Sequence, residues 1–223
     1  MKRPRLLVFA SGGSDPANGG SGFENLVRAS RDRELEADIV GVVSNHPNGG
    51  VRRRAGRLEI PFHYFTSPWS PQRHQEIARQ SEADFFALSG WLKHVVGLDP
   101  ATSFSSRTVF NIHPGPLPDF GGNGMYGHRV HARVMAGFRR GEIRDTAVSM
   151  HFVTPGYDRG PVFHRHRIPI MKDDTPESLG RRVNEWEHRL QPQVTNWVVN
   201  GLIEWDGVNP DSLRMPDLIH RGC

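Results

Sequence analysis

Apolar runs of strand length alternate with helix-length stretches through the first half of the chain, and this alternation restricts the fold more than any other feature. Residues 6–10, 37–43, 61–65, 85–89 and 109–112 read as strands; residues 23–31, 51–58 and 72–80 read as helices between them. Strands linked through helices return to a sheet in parallel, so the pattern predicts a doubly wound, Rossmann-like α/β sheet. The second half changes character. Residues 147–153 and 162–170 read as strands joined by a short Pro/Gly/Asp turn and could pair antiparallel, giving the sheet a mixed extension. Residues 174–200 read as the longest helix. Asp174 and Glu177 have capping-box spacing, Gly201 stands where a C′ glycine belongs, and Pro192 is expected to kink it. Its apolar stripe is Leu179, Val183, Trp186, Leu190, Val194, Trp197 and Val198.

No repeat or linker interrupts the 223 residues, which are enough for one well-buried α/β domain. The expected plan is a phosphate-binding half over about 1–110, a catalytic half over about 111–205 and a tail over 206–223. The only cysteine is Cys223, so no internal disulfide can form, and a reducing, cytoplasmic setting is expected. Met1-Lys-Arg-Pro-Arg5 precedes an apolar run of only five residues. A signal segment needs about 7–15 apolar residues and a membrane span about 20, so neither is expected.

A net charge of +4 suits anionic small molecules. Arg52-Arg-Arg54, Arg139-Arg140 and Arg181-Arg182 lack the interleaved aromatics of a nucleic-acid surface, and no nucleic-acid partner is expected. The 12 histidines include no His-Glu-x-x-His, so no metal is expected either. His164 and His166 share one face of a strand and read as exposed.

The segment Val109-Phe-Asn-Ile-His-Pro-Gly-Pro-Leu-Pro118 carries the strongest chemical signal. A buried strand delivers Asn111 and His113 to one face before the prolines turn the chain out of the sheet. Ligands of open α/β sheets bind beyond the carboxyl ends of the strands, where this pair would sit. An amide beside an imidazole suits acyl transfer: the amide steadies an oxyanion and the imidazole handles charge or protons. Further on, Ser149-Met-His-Phe-Val-Thr-Pro-Gly-Tyr-Asp158-Arg-Gly-Pro161 reads as a strand and a turn presenting Asp158.

Together, Asn111-Ile-His-Pro114 and Asp158-Arg-Gly-Pro161 resemble the signature of the formyltransferase family, most of all its phosphoribosylglycinamide branch. The resemblance runs from Leu6 to about Trp205 and implies the formyltransferase fold. It also implies formyl transfer from 10-formyltetrahydrofolate, as co-substrate, to the amine of glycinamide ribonucleotide in purine synthesis, by a monomer or homodimer. Asn111, His113 and Asp158 would be the catalytic trio. Asn111 and protonated His113 would hold the oxyanion, while Asp158 favours the charged imidazole and relays a proton through water.

The other sites follow from the same resemblance. Ser11, Gly12, Gly13, Ser21 and Gly22 would hold a phosphate, in a glycine-rich loop longer than the family's. Asn184 and Glu187, three apart on the long helix, would meet the substrate's phosphate and ribose. Leu92, Lys93, His94 and Val95 would line the folate mouth, with His131 and Val153. Residues 120–131 are longer and richer in glycine than the matching loop. Both enlarged loops lie near the acceptor, which leaves another amine, such as that of an amino-sugar nucleotide, as the alternative.

Overall fold

The structure, a computed structural model, describes residues 2–216. Seven strands form one sheet in the order β3-β2-β1-β4-β5-β6-β7. The strands β1 (Arg5–Phe9), β2 (Asp38–Ser44), β3 (Phe62–Tyr64), β4 (Phe85–Leu88) and β5 (Val109–His113) run parallel. β6 (Asp145–Phe152) and β7 (Val162–Pro169) are antiparallel, as the short turn between them requires. Period-two alternation sorts the side chains. Leu6 and Val8 of β1 join the core beneath α1 (Ser21–Arg31), α2 (Gly50–Arg57), α4 (His128–Arg139) and α5 (Pro176–Val199), whereas Leu7 and Phe9 join the core beneath α3 (Pro71–Ser81).

This topology positions the site. β1 pairs with β2 on one side and β4 on the other, so the connections leave its carboxyl end in opposite directions and open a crevice. The loops after β1, β4 and β5 converge there.

Several expectations need correction. The N-cap of α5 is Thr175, not Asp174. Thr175 Oγ1 accepts from Ser178 N, and Ser178 Oγ accepts from Thr175 N, closing a capping box. Asp174 instead takes Met171 N–H at 2.8 Å and pairs with Arg182 at 2.5 Å, while Glu177 reaches across to His128 of α4 at 2.9 Å. The helix continues through Pro192 to Val199, and Gly201 follows with φ +70° as expected. Trp186 and Trp197 are only partly buried, because β7 is an edge strand whose His166 and His164 rings pack on them. Those histidines are therefore half-buried rather than exposed. Helix α4 was not expected at all. The expected tail is described only to residue 216; Cys223 lies outside the described residues.

Candidate active site

Asn111 and His113 leave β5 on one face and meet β6 across the sheet. The antiparallel register sets Asn111 opposite His151, whose Nε2 lies 3.1 Å from Asn111 Nδ2. His151 Nδ1 is 2.8 Å from the Phe152 carbonyl, and its Nε2 lies between Asn111 and Asp158. The Asn111 amide carries two N–H hydrogens, of which His151 can engage at most one, and it lines the central cavity.

Asp158 reaches the same point from the turn after β6. Gly160 makes that turn possible: a Cβ there would lie 1.8 Å from the Phe152 carbonyl oxygen. Asp158 itself adopts φ +51°, an uncommon backbone for a non-glycine residue. Its Oδ2 accepts Gly122 N–H at 2.9 Å and lies 3.7 Å from His113 Nδ1, while Oδ1 lies 3.4 Å from His151 Nε2. Burial would raise this carboxyl, but His151, His113 and the Gly122 amide together hold it below the ordinary range.

His113 is 3% exposed, with Nε2 2.8 Å from the Phe120 carbonyl. Burial pushes its imidazole below the ordinary 6.5, outweighing the upward pull of Asp158 and of that carbonyl. This burial works against the charged imidazole that the resemblance implies. Desolvation outweighs the carboxylate, so burial disfavours protonation of His113 in the free protein even though Asp158 lies 3.7 Å from its Nδ1.

Three cavities meet around this trio. The central one, about 230 Å³, is lined by Asn111, His113, Asp158, Leu92, Glu187 and the glycine-rich loop 122–127. On one side lies a cavity of about 400 Å³ walled by Gly12, Gly13, Asn18 and residues 19–22, and by Asn184, Glu187 and His188 of α5. Its wall is a folded loop, in which a Cβ on Gly19 would lie 2.4 Å from Gly12 Cα. On the other side, a slot of about 60 Å³ is lined by Trp91, Lys93, His94, Val95, Val153 and Tyr157. Glu187 borders the first two cavities and is pushed up to about 7 by desolvation, against the pull of Asn184, whose Nδ2 donates to it at 3.2 Å.

Gly12, Gly13, Ser21, Gly22, Asn184 and Glu187 thus share the glycine-loop cavity, and Lys93, His94, Val95 and Val153 share the slot. Two residues fall elsewhere. Ser11 is buried, and its hydroxyl accepts Leu92 N–H at 2.9 Å, tying the loop after β1 to the loop after β4. His131 lies within α4, packed on Gly180 of α5, and lines none of the three cavities; burial drives it down to about 4.

Sequence reasoning missed His151, His188 and Tyr157. His188 Nε2 lies 3.1 Å from Ser21 Oγ, and the Tyr157 ring stacks on His94 at 4.3 Å. His151 shows itself only through the structural register of β5 on β6, and no sequence signal marks Tyr157. Among the described residues, no group of His, Cys, Asp and Glu is arranged to hold a metal, and no helix is long and apolar enough to cross a membrane.

Comparison with known proteins bears on the same residues. Residues 5–195 match the model of a family described as formyl transferase. A chloroplastic phosphoribosylglycinamide formyltransferase of Vigna unguiculata is 34% identical over 93% of this chain. Its counterpart in Arabidopsis thaliana is 32% identical over 94%. The chain spans 65% of the first relative's length and 73% of the second's. The crystal structure of glycinamide ribonucleotide transformylase 1 from Symbiobacterium toebii superposes with a TM-score of 0.78 at 21% identity, covering 96% of this chain and 95% of that one.

Proposed function

The chain belongs to the formyl transferase family, and from that premise we propose that it transfers a formyl group from 10-formyltetrahydrofolate to the amine of glycinamide ribonucleotide. One observation carries this reading. Asn111, His113 and Asp158 converge on a cavity that joins a glycine-loop pocket, suited to a phosphate, to a slot whose Trp91, Val95, Val153 and Tyr157 walls suit a flat ring.

The chemistry follows from the donors and acceptors present. As the amine adds to the formyl carbon, the carbonyl oxygen gains charge, and the free N–H of Asn111 is placed to bond it. The adding nitrogen sheds a proton as the C–N bond forms. A neutral His113, which burial favours, can take that proton, leaving an imidazolium beside the Asp158 carboxylate. The proton then passes to the departing folate nitrogen as its bond to the formyl carbon breaks, which returns His113 to neutrality. At the other end, the first turn of α1 offers backbone N–H groups to a phosphate, and Glu187 lies between that end and the reacting centre.

The test is acceptor-dependent loss of the formyl group from 10-formyltetrahydrofolate, followed spectrophotometrically with glycinamide ribonucleotide. Folate binding without turnover on this acceptor, but with turnover on an amino-sugar nucleotide, would reassign the acceptor.

A further inference from the structure

Beneath the first turn of α1, the floor of the glycine-loop cavity is a polar pair that the catalytic trio does not use. Ser89 follows β4 and Gln191 projects from α5; Ser89 Oγ stands 3.0 Å from Gln191 Oε1. Ser89 is 9% exposed and Gln191 1%, yet both line the cavity.

Their hydrogens do not balance. The hydroxyl brings one donor hydrogen and the amide two, and the bond between them uses one. Two remain whichever way the amide is turned. In the orientation described, Gln191 Nε2 has no hydrogen-bond partner among the described residues. A buried amide without an acceptor is costly, and natural folds hold few of them.

The surroundings indicate what the missing acceptor is. A Cβ on Gly22 would lie 2.3 Å from Ser89 Oγ and 3.3 Å from Gln191 Oε1, so only a glycine lets the pair sit this close to the helix start. The N–H groups of that first turn have no partner within the helix; Glu24 is the first to find one, at Gly20 O, 3.0 Å away. The unpaired N–H groups of the helix start therefore border the cavity, with the buried amide of Gln191 beneath its floor, which matches a group rich in anionic oxygen.

We propose that Gln191, held in place by Ser89, is a substrate-binding residue that donates to an oxygen of the acceptor's phosphomonoester. This rests on the cavity being the phosphate seat, as in the function proposed above. The long-helix resemblance had pointed to Asn184 and Glu187 there; Gln191, one turn further along, is the more deeply buried donor.

The probe is ribose 5-phosphate, titrated by calorimetry into the full chain and two variants. In Ser89→Ala/Gln191→Leu both polar partners are replaced, so the unliganded Tm should hold or rise. Affinity should fall roughly ten- to hundredfold, the loss of one charge-assisted hydrogen bond. The KM for glycinamide ribonucleotide should rise with it, leaving kcat and the KM for folate little changed. Gln191→Glu keeps the shape but sets a carboxylate against the phosphate, and should also weaken binding. Unchanged affinity in either folded variant overturns the inference and leaves the pair a seat for a structural water, with the cavity still a phosphate site. A wild-type protein that binds no ribose 5-phosphate removes the phosphate reading of the cavity, and this inference with it.

Discussion

Burial pushes the His113 imidazole down while Asp158, 3.7 Å from its Nδ1, pulls it up, and burial prevails. The sign of the pH dependence follows. His113 must be neutral to accept the amine's proton, so kcat/KM should hold through neutrality and fall only below pH 6.5, as His113 protonates. Asp158→Asn removes the upward pull. The acid limb should then move further down, along with a loss of rate; a limb displaced upward would contradict the assignment. Asn111→Ala should lower kcat by about 10²–10³, as removal of one oxyanion donor does, without loss of folding by circular dichroism. Asn111, His113 and Asp158, which line one cavity, could be singled out in the sequence because each sits in a short contiguous motif. His151 sits in such a motif too, but its contact with Asn111 depends on the register between β5 and β6, which the sequence does not state. Gln191 is less legible still, since its environment comes from three separate segments.

At the scale of elements, the strands were placed to within a residue or two because buried apolar runs mark them directly. Helix α4 was missed because its start lies in a glycine-rich stretch, where Gly127 stands at the N-cap without a side-chain cap. Its buried residues Val130, Val134 and Met135 carry the helical spacing that could have revealed it. The cap of α5 was misread by one residue, since Asp174 and Thr175 both suit an N-cap and only the backbone decides. Thr175→Ala should therefore cost about 1 kcal/mol in urea unfolding, and Glu177→Ala, on the exposed helix surface, less. His131 tests the α4–α5 contact through pH. Its value falls from 6.5 unfolded to about 4 folded. Between those values the unfolded chain takes up a proton that the fold refuses. Stability should be full above about pH 6.5 and drain as pH falls towards 4, by up to roughly 3 kcal/mol for a group so buried. His131→Gln should flatten that slope, and an unchanged slope would place its origin elsewhere.

The whole molecule is organised around one continuous sheet whose crevice lies between the carboxyl ends of β1 and β4. We propose that residues 1–110 and 111–205 act as one domain, since β4 and β5 pair directly across that division. The glycine-loop cavity then belongs to the first half, the proton-handling pair to the second, and α5 closes both by bringing Glu187 between them. The mixed α/β sheet was legible from the alternation of strands and helices; the joining of the three cavities was not, because it depends on loops whose paths the sequence leaves open. The most direct test is the rate of formyl loss from 10-formyltetrahydrofolate with and without glycinamide ribonucleotide, using wild type and His113→Ala side by side. Turnover that requires the acceptor and disappears in a folded His113→Ala protein is the expected result. Formyl loss that ignores the acceptor, or survives at full rate without His113, would contradict the account.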